Sequence, residues 1–128
     1  MFKESDLRAY QIKSIQYILE KKRCGLALDM GLGKTISALT AFMKIKKEGS
    51  KMLVTSPLKV ANSTWHTEIK AWSHTQNLRY SIATGSEKAR LKALSEDADI
   101  YVINHENIAW MQEKGFTNYD MIVIDESQ

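Results

Sequence analysis

A chain of 128 residues, 44% of them hydrophobic and 26% charged, can bury one apolar core and is too short for two domains. Its single cysteine, Cys24, excludes an internal disulfide framework and reads as a small core residue in a reducing setting. The formal charge of +3 is unevenly spread: residues 1–70 carry thirteen Lys/Arg against six Asp/Glu, and residues 71–128 carry five against nine. The basic half suits a phosphate-rich partner and equally suits a solvated helical face. His66, His74 and His105 are scattered and read as surface residues rather than metal ligands. The N-terminus lacks the apolar core of a signal peptide, and no run of about 18 apolar residues occurs, so a cytoplasmic chain without a membrane span is expected.

In chain order, Leu7, Tyr10, Ile15, Ile18 and Leu19 recur at helical spacing from about Ser5 to Lys22, with Ser5 as N-cap. The apolar run Cys24–Leu28 is expected to be a strand that leads into Asp29-Met30-Gly31-Leu32-Gly33. A helix follows from Lys34 to Glu48, stopped by Gly49-Ser50. Met52–Thr55 reads as a strand ended by Ser56-Pro57, and Val60–Ser73 as a helix with Trp65, Ile69 and Trp72 on one face. Those tryptophans suit a core better than a base-stacking platform. Tyr80–Ala83 is expected to be a strand closing on Thr84-Gly85, followed by a helix over Ser86–Leu94 and a strand over Ile100–Ile103. A short helix near Glu106–Glu113 precedes the last strand, Met121–Ile124. Strands that are apolar throughout imply a sheet covered on both faces. The expected fold is one α/β domain with a mainly parallel sheet of about five strands and helices on both sides.

The strongest chemical signal is Gly31-Leu32-Gly33-Lys34-Thr35 between a strand and a helix. Glycines let successive backbone amides turn inward around an anion, and the following helix directs its positive end at the same anion. In this pattern Lys34 reaches the outer phosphates and the Thr35 hydroxyl ligates Mg²⁺. The glycine that usually opens such a loop is replaced here by Leu28. The second signal is the apolar strand Met121–Ile124 ending in Asp125-Glu126, two carboxylates at the strand end where parallel sheets bind ligands. Asp125 would share the Mg²⁺ with Thr35, and Glu126 would orient or deprotonate the attacking water.

Together these motifs resemble helicase superfamily two, most closely its Swi/Snf-like branch, over nearly the whole chain. Leu7-Arg8-Ala9-Tyr10-Gln11 is similar to that branch's Leu-Arg-x-Tyr-Gln motif, which implies that Gln11 reads the adenine edge. Asp29–Thr35 is similar to the branch's phosphate loop, which also dispenses with the opening glycine; the resemblance implies an ATP site at Met30, Gly31, Leu32, Gly33, Lys34 and Thr35. Lys34 and Glu126 are then the catalytic residues, and Thr35 and Asp125 the magnesium ligands. Ser56-Pro57-Leu58 with Trp65 to Ile69, Thr84-Gly85-Ser86 with Arg90, and Val102 to Glu106 resemble segments that contact a nucleic-acid backbone. They nominate Ser56, Lys59, Thr84, Gly85, Arg90, Asn104 and His105; Lys59 reads equally well as a surface lysine. Asn104 and His105 differ from the usual Thr-Thr-Tyr-Glu wording, and Asp125-Glu126-Ser127-Gln128 differs from the usual Asp-Glu-Ala-His or Asp-Glu-Gly-His. Gln128 thus stands where the family couples ATP state to its second lobe.

The resemblance implies a partial P-loop NTPase (RecA-like) lobe over residues 1–128, ending just past the Asp-Glu motif, with the second helicase lobe expected to be absent. The parent architecture is an ATP-driven translocase on DNA. The lobe alone is expected to bind Mg·ATP, to hydrolyse it very slowly, and to hold DNA, double-stranded in this branch, weakly. Two other readings stand beside it: a non-motor P-loop NTPase, which leaves Leu-Arg-Ala-Tyr-Gln unexplained, and a non-catalytic nucleotide- or DNA-binding fragment, which would bind ATP without DNA-stimulated turnover.

Overall fold

The computed structural model describes residues 27–28, 34–116 and 118–125. The expected helix over Ser5–Lys22, Gln11, the phosphate loop at Met30, Gly31, Leu32 and Gly33, and Glu126 lie outside the described residues.

Among the described residues the elements run β1 (Ala27–Leu28), α1 (Lys34–Ile45), β2 (Met52–Ser56), α2 (Leu58–Ser63), α3 (Trp65–Ala71), β3 (Tyr80–Ala83), α4 (Glu87–Ser95), β4 (Ile100–Asn104), a 3₁₀ turn (His105–Asn107), α5 (Ile108–Glu113) and β5 (Met121–Asp125). The strands form one sheet in the order β1-β5-β2-β4-β3, with every pairing parallel. The chain builds outward from β1 through β2 to β3, then returns to insert β4 and β5 between strands already laid down.

That return explains the uninterrupted apolar strands. Met52, Val54, Ile100, Val102, Met121 and Val123 point to one face, where Ile36, Leu39 and Phe42 of α1 and Val60, Trp65 and Ile69 of α2 and α3 pack on them. Leu53, Tyr101 and Ile103 point to the other face and meet Leu94 of α4, Met111 of α5 and Tyr119. With alternate side chains entering two cores, no strand position in β2 or β4 is left for solvent, and all ten of those residues are buried.

Two boundaries differ from the sequence expectation for identifiable reasons. The helix expected over Val60–Ser73 is two helices that meet at Thr64. Ser63 and Thr67 donate their hydroxyls back to the carbonyls of Lys59 and Ser63 at 2.7 and 2.8 Å, a competition that bends helices. The helix expected over Lys34–Glu48 stops at Ile45. Residues 47–50 turn instead, with Lys47 N donating to Ser50 Oγ at 2.9 Å and Gly49 at φ +84°.

Candidate functional site

Because all strands run the same way, the segments after β1, β2, β3, β4 and β5 emerge on one edge of the sheet, the edge where open α/β folds bind ligands. The sheet pairs the Asp125 backbone with Leu28, the last residue of β1. The end of the acidic strand therefore lies beside the strand that feeds residues 29–33, and Lys34 and Thr35 open the 12-residue helix α1. Leu28 and Asp125, about a hundred positions apart in the sequence, are brought side by side by that pairing.

Asp125 is only 1% exposed. A buried carboxylate is costly unless its oxygens find donors, and Trp65 Nε1 donates to Asp125 Oδ2 at 3.0 Å. Trp65 is itself fully buried, so the same bond satisfies an indole N–H that would otherwise be stranded in the core. The Asp125 main chain is also held: His105 Nε2 lies 3.0 Å from the Asp125 carbonyl, and His105 Nδ1 lies 2.8 Å from Thr55 Oγ1. A carbonyl only accepts, so Nε2 carries the hydrogen; in the neutral ring, Nδ1 then accepts from the Thr55 hydroxyl. The ends of β2, β4 and β5 are joined through one imidazole.

A hard divalent cation prefers oxygen donors in a rigid setting. A buried, oriented carboxylate at the end of β5, paired with the last residue of β1, fits magnesium as one ligand of several. No group of three or more His, Cys, Asp or Glu side chains gathers among the described residues.

The residues nominated for a nucleic-acid backbone all lie on this edge, but most of their side chains are engaged within the chain. Ser56, fully buried, donates to the Pro57 carbonyl at 3.3 Å. Thr84 donates to Asn62 Oδ1 at 2.7 Å, tying the end of β3 to α2. Arg90 donates to the Gly85 carbonyl at 2.6 Å, and its guanidinium lies 4.3 Å from the centre of the Trp110 ring. Asn104 donates to Glu106 Oε2 at 2.5 Å, which holds the Glu106 carboxyl below the usual range, and accepts from Asn107 at 2.8 Å. His105 is exposed as a whole, yet both ring nitrogens face protein partners. Lys59 is exposed on α2. Trp65 and Trp72 lie in the core as expected, at 0% and 7% exposure. The sequence reading missed the inward roles of Trp65, His105 and Thr55. One signal was available, since a tryptophan on a buried helical face must find a partner for its N–H.

Residues 8–128 match the family model described as DEAD/DEAH box helicase. Protein p41 of Acyrthosiphon pisum secondary endosymbiont phage 1 is 38% identical over 126 residues, which cover 94% of this chain and 27% of that protein. Human chromodomain-helicase-DNA-binding protein 6 is 33% identical over 82 residues, 59% of this chain and 3% of its own length. The SWI2/SNF2 ATPase core of Sulfolobus solfataricus, solved in complex with dsDNA, is similar with a TM-score of 0.72 and 31% identity, covering 94% of this chain and 26% of that one. The chain spans about a quarter of the phage protein and of the Sulfolobus core.

Proposed function

Since this chain belongs to the DEAD/DEAH box helicase family, on its Swi/Snf-like side, and forms a helicase N-terminal lobe, we propose that it binds Mg·ATP at the carboxyl edge of its sheet and serves as the nucleotide-binding lobe of a DNA-dependent ATPase. The observation that carries the proposal is Asp125: a buried carboxylate braced by Trp65, at the end of the strand that pairs with β1, the strand that leads toward Lys34 and Thr35.

In this reading the backbone amides of Met30 to Gly33 cradle the phosphates and Lys34 reaches the β and γ positions. Thr35 and Asp125 hold the magnesium ion, which when bound neutralises charge on the phosphate oxygens. Glu126 orients the attacking water, and Gln11 reads the adenine edge. The polymer is double-stranded DNA, with which the similar Sulfolobus core was solved in complex. Ser56, Lys59, Thr84, Gly85, Arg90, Asn104 and His105 shape the loops that line it, with Lys59 as the exposed cation among them. A motor cleft needs a second lobe, so residues 1–128 supply one wall, and turnover by these residues alone is slow. An arginine from an opposing lobe is worth about 10³–10⁵ in kcat in such enzymes.

Titration calorimetry tests the proposal. The wild-type chain should bind Mg·ATP, and Lys34→Ala should lose most of the affinity while keeping the wild-type melting temperature. Undiminished affinity in a folded Lys34→Ala protein would overturn it.

A further inference from the structure

Two contacts to Asp125 have a consequence beyond packing. The indole N–H of Trp65 holds Oδ2 at 3.0 Å, and the imidazole of His105 holds the main-chain carbonyl at 3.0 Å while its other nitrogen meets Thr55 at 2.8 Å. The two contacts arrive from different elements: Trp65 opens α3 on one face of the sheet, and His105 opens the turn after β4. One restrains rotation of the carboxylate about its own axis, the other restrains the peptide that carries it. The indole N–H is an uncharged donor, which orients an oxygen without cancelling the negative charge that a cation needs. A lysine or arginine in place of Trp65 would orient the group and weaken its pull on a divalent ion.

We propose that Trp65 and His105 are positioning residues for magnesium: they pre-set the Asp125 carboxylate so that the ion and nucleotide bind without first ordering the end of β5. The inference rests on the Mg·ATP reading above and extends it to Trp65, expected only in the core, and His105, nominated only for a nucleic-acid backbone. Partners that orient a metal ligand from behind typically contribute about 10–100-fold to metal affinity. Trp65 makes the direct bond to the carboxylate and should carry the larger share; His105 acts one step further away, through the peptide.

The test separates a positioning role from a packing role by reading magnesium dependence rather than stability. ADP affinity is measured by calorimetry in EDTA and over a magnesium titration, for the wild-type chain, Trp65→Phe and His105→Phe. Each variant keeps a ring and removes the donor, and His105 is exposed, so its replacement does not open the core. Both folded variants should bind ADP in EDTA as the wild type does. The magnesium concentration for half-maximal enhancement should rise about 10–100-fold in Trp65→Phe, and by a smaller factor in His105→Phe. In the ¹⁵N-labelled wild type, the Trp65 indole N–H resonance should shift when magnesium is added to the ADP-bound chain, which needs no substitution and stands even if Trp65→Phe fails to fold. Wild-type magnesium dependence in the folded variants, or an unmoved Trp65 resonance, overturns the inference and leaves the nucleotide reading intact. A wild-type chain that binds ADP equally well with and without magnesium also overturns it. Failure of the wild type to bind nucleotide under any condition instead brings down the functional reading on which it rests.

Discussion

At the amino edge of the sheet, Asp99 joins three segments. It is 7% exposed, accepts from the Arg79 amide at 2.9 Å, and lies 3.4 Å from Lys46 Nζ and 3.6 Å from Arg79 Nε. Burial pushes its carboxyl up, but the Arg79 amide and the Lys46 ammonium together outweigh burial, and the group sits below its usual range. The folded pKa is thus lower than the unfolded one. The associated stability is present above the unfolded value, near 3.9, and is lost as pH falls through the folded value. Asp99→Asn should cost about 1–3 kcal/mol at neutral pH, the range for breaking a buried hydrogen-bonded charge. Urea unfolding of both proteins at neutral pH and again below about pH 4 should show the gap closing on acidification. A gap that stays constant would show that Asp99 acts by shape rather than by charge.

Among the elements, α4 depends most visibly on its first turn. Ser86 caps it, with its hydroxyl accepting from Ala89 N at 3.2 Å, and Gly85 precedes it at φ +90°. Arg90, one turn in, donates back to the Gly85 carbonyl and lies over Trp110 of α5, whose indole N–H donates to Glu87 Oε1 at 2.7 Å. This closed circuit fixes the loop after β3 and docks α4 on α5, so Arg90 shapes the site edge from behind. Ser86→Ala should lower stability by about 1 kcal/mol, the usual cost of an N-cap hydroxyl. Gly85→Ala should cost about 1–2 kcal/mol, because a side chain in left-handed backbone is strained. The added Cβ would meet only Ala89 Cβ, at 4.0 Å, so crowding adds little. Thermal melts of the two variants check both values, and a neutral Gly85→Ala would show that the turn relaxes.

Across the molecule, the edge that gathers the loops is also where a polyanion would lie. Contacts to phosphate position a strand without reading its sequence, and their strength falls with salt. The formal charge of +3, and the engagement of Ser56, Thr84, Arg90, Asn104 and His105 within the fold, argue for weak binding. Duplex DNA should bind with a Kd of about 10⁻⁴ M at low salt, and the complex should be lost at physiological ionic strength. Fluorescence anisotropy with a labelled duplex across a salt series decides this. Tight binding that ignores salt would refute backbone contact as the mode, and Lys59→Ala should weaken any binding equally for all sequences. No helix among the described residues is long and apolar enough to cross a membrane.

The element types, the parallel layout and the two motifs could be read from residues alone, because each is written locally. Apolar runs of four or five residues specify strands buried on both faces. The Tyr80–Ala83 strand agrees with the structure to the residue, and Ser86 caps the helix it was expected to start. The Gly-Lys-Thr and Asp-Glu motifs and the family were legible for the same reason, since a few adjacent residue types carry them. Whatever depends on long separations was settled by the packing of the folded chain. The insertion of β4 and β5 between earlier strands sets Asp125 beside Leu28. It also brings Trp65 to a carboxylate sixty positions away and His105 to both Thr55 and the end of β5. The break at Thr64 was equally hidden, because it comes from hydroxyls competing for helix carbonyls rather than from any change in apolar period. Periodicity reports which side of an element is buried; it carries no information about which polar atom waits there, and at this site those atoms orient the acid.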